Sequence, residues 1–167
     1  SLRSADGKFF RQGIDSGEQL EKGFPASVEE LFNYQGLVLG SIEANFFTFD
    51  QLRMIEQFVA KRGGGFLALA GGRAYDAGKY AGTPIADVLP FVLNDKFDPA
   101  QAAEPGAWKA ALTPRGFKHP VTRLADTREQ SSKEWEGLPA VSIPEQLLSA
   151  KAGASVLLEA RSVKEKG

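Results

Sequence analysis

The chain has 167 residues, 43% of them apolar and 25% charged, with a formal net charge of −1. These values suit one globular domain that buries roughly 70% of its unfolded surface, and they supply no basic excess for nucleic acid or an anionic membrane. The lack of cysteine excludes disulfides, thiolate metal sites and a cysteine nucleophile together. The single His119 excludes a multi-histidine metal site, and no apolar run is long enough to span a bilayer.

In chain order, Ser1–Phe10 reads as the tail of a strand leaving a sheet. With the start at Ser1 and the polar end Lys164–Gly167, it leads us to expect a piece of a longer protein. Ser27 and Glu30 have capping-box spacing and predict a short helix through Leu31 and Phe32. Leu37–Gly40 is an apolar run of strand length. Thr48 and Gln51 form a second capping box, and Leu52, Ile55, Phe58 and Val59 recur at helical spacing, which predicts a helix over Phe49–Arg62. Gly63-Gly64-Gly65 ends it, and Phe66–Ala70 is a second apolar strand. Two apolar strands around an amphipathic helix predict a βαβ unit in a parallel sheet covered on both faces.

Gly71–Gly82 is a glycine-rich loop. Thr83-Pro84 then predicts an N-cap with proline at the first helical position, opening a short helix to Leu89. Asn94–Gly106 reads as a surface excursion, and Trp108–Thr113 as an edge or hairpin strand. His119-Pro120 opens a turn. Asp126–Lys133 reads as polar and mobile, Glu134–Leu138 and Pro144–Ala150 as short helices or turns, and Ala154–Ala160 as a last strand. No repeat is present, so one domain over residues 1–167 is the expectation.

In open α/β sheets ligands bind beyond the carboxyl ends of strands. Two such ends are Gly40–Asn45 and Gly71–Gly82, and they follow strands expected to be neighbours. Their polar and aromatic residues make Ser41, Glu43, Gly71, Gly72, Arg73, Tyr75, Lys79 and Tyr80 candidate ligand-binding residues, with Asp76 beside them. Each has a plainer reading. Glu43 suits a helix cap, Arg73 an ion pair with Asp76 or Glu43, and Tyr75 and Tyr80 the packing of the loop. Gly71-Gly72-Arg73-Ala74-Tyr75 matches neither the dinucleotide fingerprint nor the P-loop. His119 joins the candidates, although a general base needs an orienting acid and a nucleophile that the sequence does not identify.

Tyr34–Gly40 resembles the strand leading to the oxyanion loop in class I glutamine amidotransferases. Where that family has a Gly-x-Cys-x-Gly nucleophile elbow, this chain has Ala68-Leu69-Ala70-Gly71-Gly72. From Phe24 to Val92 the sequence is similar to glutamine amidotransferase-like domains of large bacterial proteins. The likeness rests on Phe24-Pro25, Gly40–Ala44, the triple glycine and Tyr80–Pro84, and more loosely on His119-Pro120 and Trp135–Pro139. The resemblance implies a three-layer, flavodoxin-like, mostly parallel sheet with helices on both faces, the family's first strand and helix lying before Ser1 and its final strands after Gly167. It also implies neighbouring transmembrane or von Willebrand A-type domains and a place in the cell envelope, with the cytoplasm as the alternative.

Glutamine hydrolysis needs a thiolate that forms an acyl-enzyme, and the alanine methyl group here cannot attack an amide. The expectation is therefore a non-catalytic module that binds a small molecule or a protein partner, with no cofactor, no metal, no nucleic acid and no membrane contact of its own. The alternative is a hydrolase of another type acting on a sugar or amide through Glu43 and His119.

Overall fold

A computed structural model describes residues 2–3, 9–10, 23–71, 74–98, 106–143 and 149–163. These residues gather into two compact units, Ser1–Leu89 and Pro90–Gly167. Each unit is described by itself.

In the first unit a short antiparallel ladder joins β1 (Leu2–Arg3) to β2 (Phe9–Phe10). Helix α1 (Val28–Phe32) begins at Ser27, whose hydroxyl accepts from the Glu30 N–H, while the Glu30 carboxylate reaches back to the Ala26 N–H. Strand β3 (Gly36–Leu39) follows. Helix α2 (Phe49–Ala60) starts with the complete capping box, in which Thr48 and Gln51 each hold the other's backbone N–H. Gly63 ends it with φ +73°, a conformation that costs glycine little, and the Gly64 N–H reaches back to the Phe58 carbonyl.

Strand β4 (Gly65–Ala68) then pairs with β3 in parallel, Leu39 opposite Ala68, so the predicted βαβ unit is present. The core beneath it holds Leu31, Leu39, Leu52, Met54, Ile55 and Phe58, joined by Ile85 and Leu89 near helix α3 (Pro84–Val88). Thr83 precedes that helix without capping it, because its hydroxyl donates to the Tyr80 carbonyl instead.

In the second unit β5 (Phe91–Val92) pairs antiparallel with β8 (Ser149–Ala150). A second sheet has the order β7 (Val141–Ile143), β6 (Gly106–Leu112), β9 (Leu158–Ser162), all antiparallel. Strand β6 is thus central, which corrects the edge half of the expected edge or hairpin strand, and β9 lies further along the chain than the expected Ala154–Ala160. Between β6 and β7 lie α4 (Pro114–Lys118), a 3-10 turn at Pro120–Thr122 and α5 (Arg128–Gly137). The polar segment expected to be mobile at Asp126–Lys133 is largely the first half of α5. Of the predicted Pro144–Ala150 element, residues 144–148 lie outside the described residues.

Among the described residues one ladder is parallel and four are antiparallel, which makes this a mixed α/β chain with small sheets. All three tyrosines, at 34, 75 and 80, belong to the first unit, and both tryptophans, at 108 and 135, to the second. None of the described helices is long and apolar enough to cross a membrane.

Candidate functional site

The parallel pairing of β3 and β4 brings their carboxyl ends side by side, and the Leu69 N–H extends the contact to the Leu39 carbonyl at 2.8 Å. Past β3 the Ile42 N–H turns back to the Gly40 carbonyl at 2.9 Å, which leaves Ser41 exposed at the bend. Past β4 the chain arrives at Gly71, which lies against Ser41. A Cβ on Gly71 would stand 2.5 Å from the Ser41 Cβ and 2.6 Å from its Oγ. Glycine is therefore a steric requirement for the two strand-end loops to touch.

From Ala74 onward the second loop is wound tightly. Its backbone closes through Gly78 N–H to Ala74 O at 3.0 Å and Tyr80 N–H to Tyr75 O at 3.1 Å. It is tied to the first loop through Ala44 N–H to Gly78 O at 2.7 Å. Two tyrosines brace it from inside. Tyr80 is 2% exposed and donates its hydroxyl to the Ile42 carbonyl at 2.9 Å. Burial, and then the nearby Glu43 carboxylate, push its pKa up to about 12, because both oppose a phenolate charge. Tyr75 donates to the Ala68 carbonyl at 3.0 Å, and burial raises its pKa as well. Its φ of 53° and that of Lys79 at 60° are left-handed values uncommon for side-chain-bearing residues, held here by the surrounding hydrogen bonds.

The sequence-predicted residues thus divide into groups. Ser41, Gly71 and Lys79 are exposed at the rim of the paired strand ends, with Glu43 half-buried next to them. Tyr75 and Tyr80 turn inward and fix the loop through main-chain carbonyls, and Asp76 is 3% exposed. Ser41, Glu43, Asp76 and Lys79 each have an interaction partner. Gly72 and Arg73 lie outside the described residues. Ala70, which the sequence resemblance aligns with a nucleophile, is exposed and carries only a methyl group.

His119 belongs to the second unit. It caps the Pro120–Thr122 turn, its Nδ1 accepting from the Val121 N–H at 3.2 Å. Among the described residues no group of three or more His, Asp or Glu is placed to hold a metal ion.

The sequence reading missed a groove of about 230 Å³ beside β3, walled by Phe24, Leu31, Phe46 and Phe47 and reached by Ile42 from the strand-end loop. Its aromatic wall is ordered by edge-to-face contacts, Phe24 to Phe47 at 5.3 Å and Phe46 to Phe47 at 5.5 Å. The Phe46-Phe47 pair was the available signal, but the return of Phe24 to meet it is a tertiary contact.

No protein-family model matches the chain, and no curated protein does. A solved structure described as a cytoplasmic protein from Salmonella typhimurium is similar to it, with 25% sequence identity and a TM-score of 0.63 over 82% of this chain. The chain spans 56% of the length of that protein.

Proposed function

We propose that this chain is a non-catalytic binding module on a scaffold like that of class I glutamine amidotransferases, taking a small molecule or a protein partner at the rim formed by Ser41, Glu43 and Lys79. The observation that carries the reading is the closure of the two strand-end loops on each other, Ser41 against Gly71, in a chain without cysteine. Polar groups on a braced strand-end loop suit recognition, since rigidly held loops lose little entropy on binding. The position of the family's nucleophile carries a methyl group, which has no lone pair for attack on an amide.

The finer architecture in this proposal is a three-layer, flavodoxin-like arrangement around the sheet of the first unit, and its support is the parallel β3–α2–β4 unit. Of the two locations considered, the description of the similar Salmonella protein favours the cytoplasm. Nucleic acid is not among the proposed partners, given the net charge of −1.

A thermal-shift screen of small metabolites against the whole chain, repeated on Glu43→Gln and Lys79→Ala, tests the reading. A hit whose shift both variants diminish supports it. Turnover of glutamine or of a simple ester by the purified chain would overturn it and would favour the hydrolase alternative.

A further inference from the structure

The second unit holds a cavity of about 350 Å³ where the end of α4, the His119–Thr122 turn and the start of α5 converge. Its wall carries four basic side chains, Lys118, His119, Arg123 and Arg128, and no carboxylate. Glu129 sits on the same turn of α5 but is not part of the wall. In a chain whose acidic and basic residues number 21 and 20, such a one-signed lining is a local departure from balance. The four basic residues are exposed, and together they give the mouth of the concavity a positive potential.

The floor is held in place by buried hydroxyl groups. Thr122 and Ser131 are each 4% exposed. The Thr122 hydroxyl donates to main-chain carbonyls of Gly116 and His119, and its own carbonyl accepts the Trp135 indole N–H at 2.7 Å. The Ser131 hydroxyl accepts from the backbone N–H groups of Leu124 and Ala125. The Arg123 guanidinium is anchored to the carbonyls of Ala125 and Asp126. The bases are thus mounted on a knitted turn.

The donors also point to an anion. With Nδ1 of His119 accepting from Val121, a neutral imidazole carries its proton on Nε2 and can only donate there. Arg128 opens α5, a ten-residue helix whose positive end adds to the field. No Asp or Glu stands with Lys118 and Arg128 on the cavity wall.

From these features we infer that the cavity binds a small molecule through a phosphate-type oxyanion, free phosphate or a phosphate ester, with Lys118, Arg123 and Arg128 supplying charge and His119 a directed N–H. The site is separate from the rim of the first unit, so either can fail without the other.

Because the chain has one histidine, the imidazole proton resonances of His119 report this cavity without ambiguity. The whole chain is titrated with inorganic phosphate, then with a sugar phosphate, at low and high salt. Saturable shifts of the His119 resonances are expected, weakening as salt rises. Arg128→Glu and Lys118→Glu should each weaken phosphate binding by about tenfold or more, whereas Lys96→Glu, the same charge change outside the cavity wall, should not. An acidic residue at the first position of α5 favours the helix, so loss of binding in Arg128→Glu is not loss of fold. Circular dichroism checks this, and Lys118→Glu provides the second variant.

The inference is overturned if phosphate produces no saturable shift, or if Lys96→Glu weakens binding as much as Arg128→Glu. It is also overturned if a DNA oligonucleotide displaces phosphate with an affinity that grows with length, which would mark a nucleic-acid face.

Discussion

Replacing Gly71 with alanine puts a number on the contact that brings the two strand-end loops together. Carbon atoms of neighbouring side chains normally settle about 3.5–4.0 Å apart, whereas the new Cβ would lie 2.5 Å from that of Ser41. The loops must separate by about 1 Å to restore ordinary contact. Three links resist this: Leu69 N–H to Leu39 O, Ala44 N–H to Gly78 O, and the Tyr80 hydroxyl to Ile42 O, at 2.8, 2.7 and 2.9 Å. Overpacking of this kind costs about 1–3 kcal/mol. The backbone of Gly71 is not in the left-handed region, so the penalty is steric and not conformational.

Ser41→Gly removes the obstructing atoms and on its own should cost at most about 1 kcal/mol through added chain entropy. Urea unfolding of the wild type, both single variants and the double variant, followed by far-ultraviolet circular dichroism, gives the cycle. The double variant should recover about 1 kcal/mol or more relative to additivity. Strict additivity, or a Gly71→Ala protein as stable as the wild type, would refute the close approach and the closed rim built on it.

Tyr80 predicts a pH dependence. Its folded pKa is about 12 against an ordinary value near 10, so the folded state holds the proton more tightly. Its contribution, about 1–2 kcal/mol, is complete below pH 10 and is lost between pH 10 and about 12. Tyr80→Phe should flatten stability over that window and cost about 1–3 kcal/mol at neutral pH by leaving the Ile42 carbonyl unpaired; an unchanged alkaline slope contradicts it. Gly116→Ala would place a Cβ 1.9 Å from the Leu157 carbonyl oxygen, and thermal unfolding should show a loss of about 3 kcal/mol or more. The two tryptophans should respond oppositely to phenylalanine. Trp108 buries an indole N–H with no partner among the described residues, so its replacement should be tolerated within about 1 kcal/mol, while Trp135→Phe forfeits a 2.7 Å bond and should cost at least about 1 kcal/mol more. Chemical denaturation ranks them, and the reverse order contradicts the assignment.

What the sequence disclosed was local. Ser27 with Glu30 and Thr48 with Gln51 are contacts between residues three apart, so their spacing alone announced α1 and α2. The βαβ unit followed from its continuous apolar runs, but the expected cover on both faces is not found among the described residues, where Val38 and Leu67 are 61% and 54% exposed. Helix α5 was concealed by its composition. In Arg128–Gly137 the apolar periodicity is nearly absent, and anchoring falls to the Thr127 cap, the Ser131 hydroxyl and the Trp135 indole. The central place of β6 depends on partners at Val141–Ile143 and Leu158–Ser162, which no local pattern encodes. At the end of the chain the Val156 and Leu157 carbonyls are taken by Thr113, so the apolar run begins before the strand does.

The candidate site divides in the same way. Glycine-rich strand ends were visible, but the inward turn of Tyr80 was not, because its acceptor lies 38 residues away at Ile42. The basic cavity of the second unit was equally hidden, since Lys118, Arg123 and Arg128 lie within eleven residues of one another yet only the folded turn faces them into one space.

The separation of tyrosines from tryptophans between the two units gives the unlabelled protein a built-in optical ruler. Light absorbed by tyrosine in the first unit can reappear as tryptophan emission only by energy transfer to the second. The yield of that sensitised emission tracks the spacing of the units, and its change on adding a ligand distinguishes a molecule that draws them together from one that settles in either unit alone.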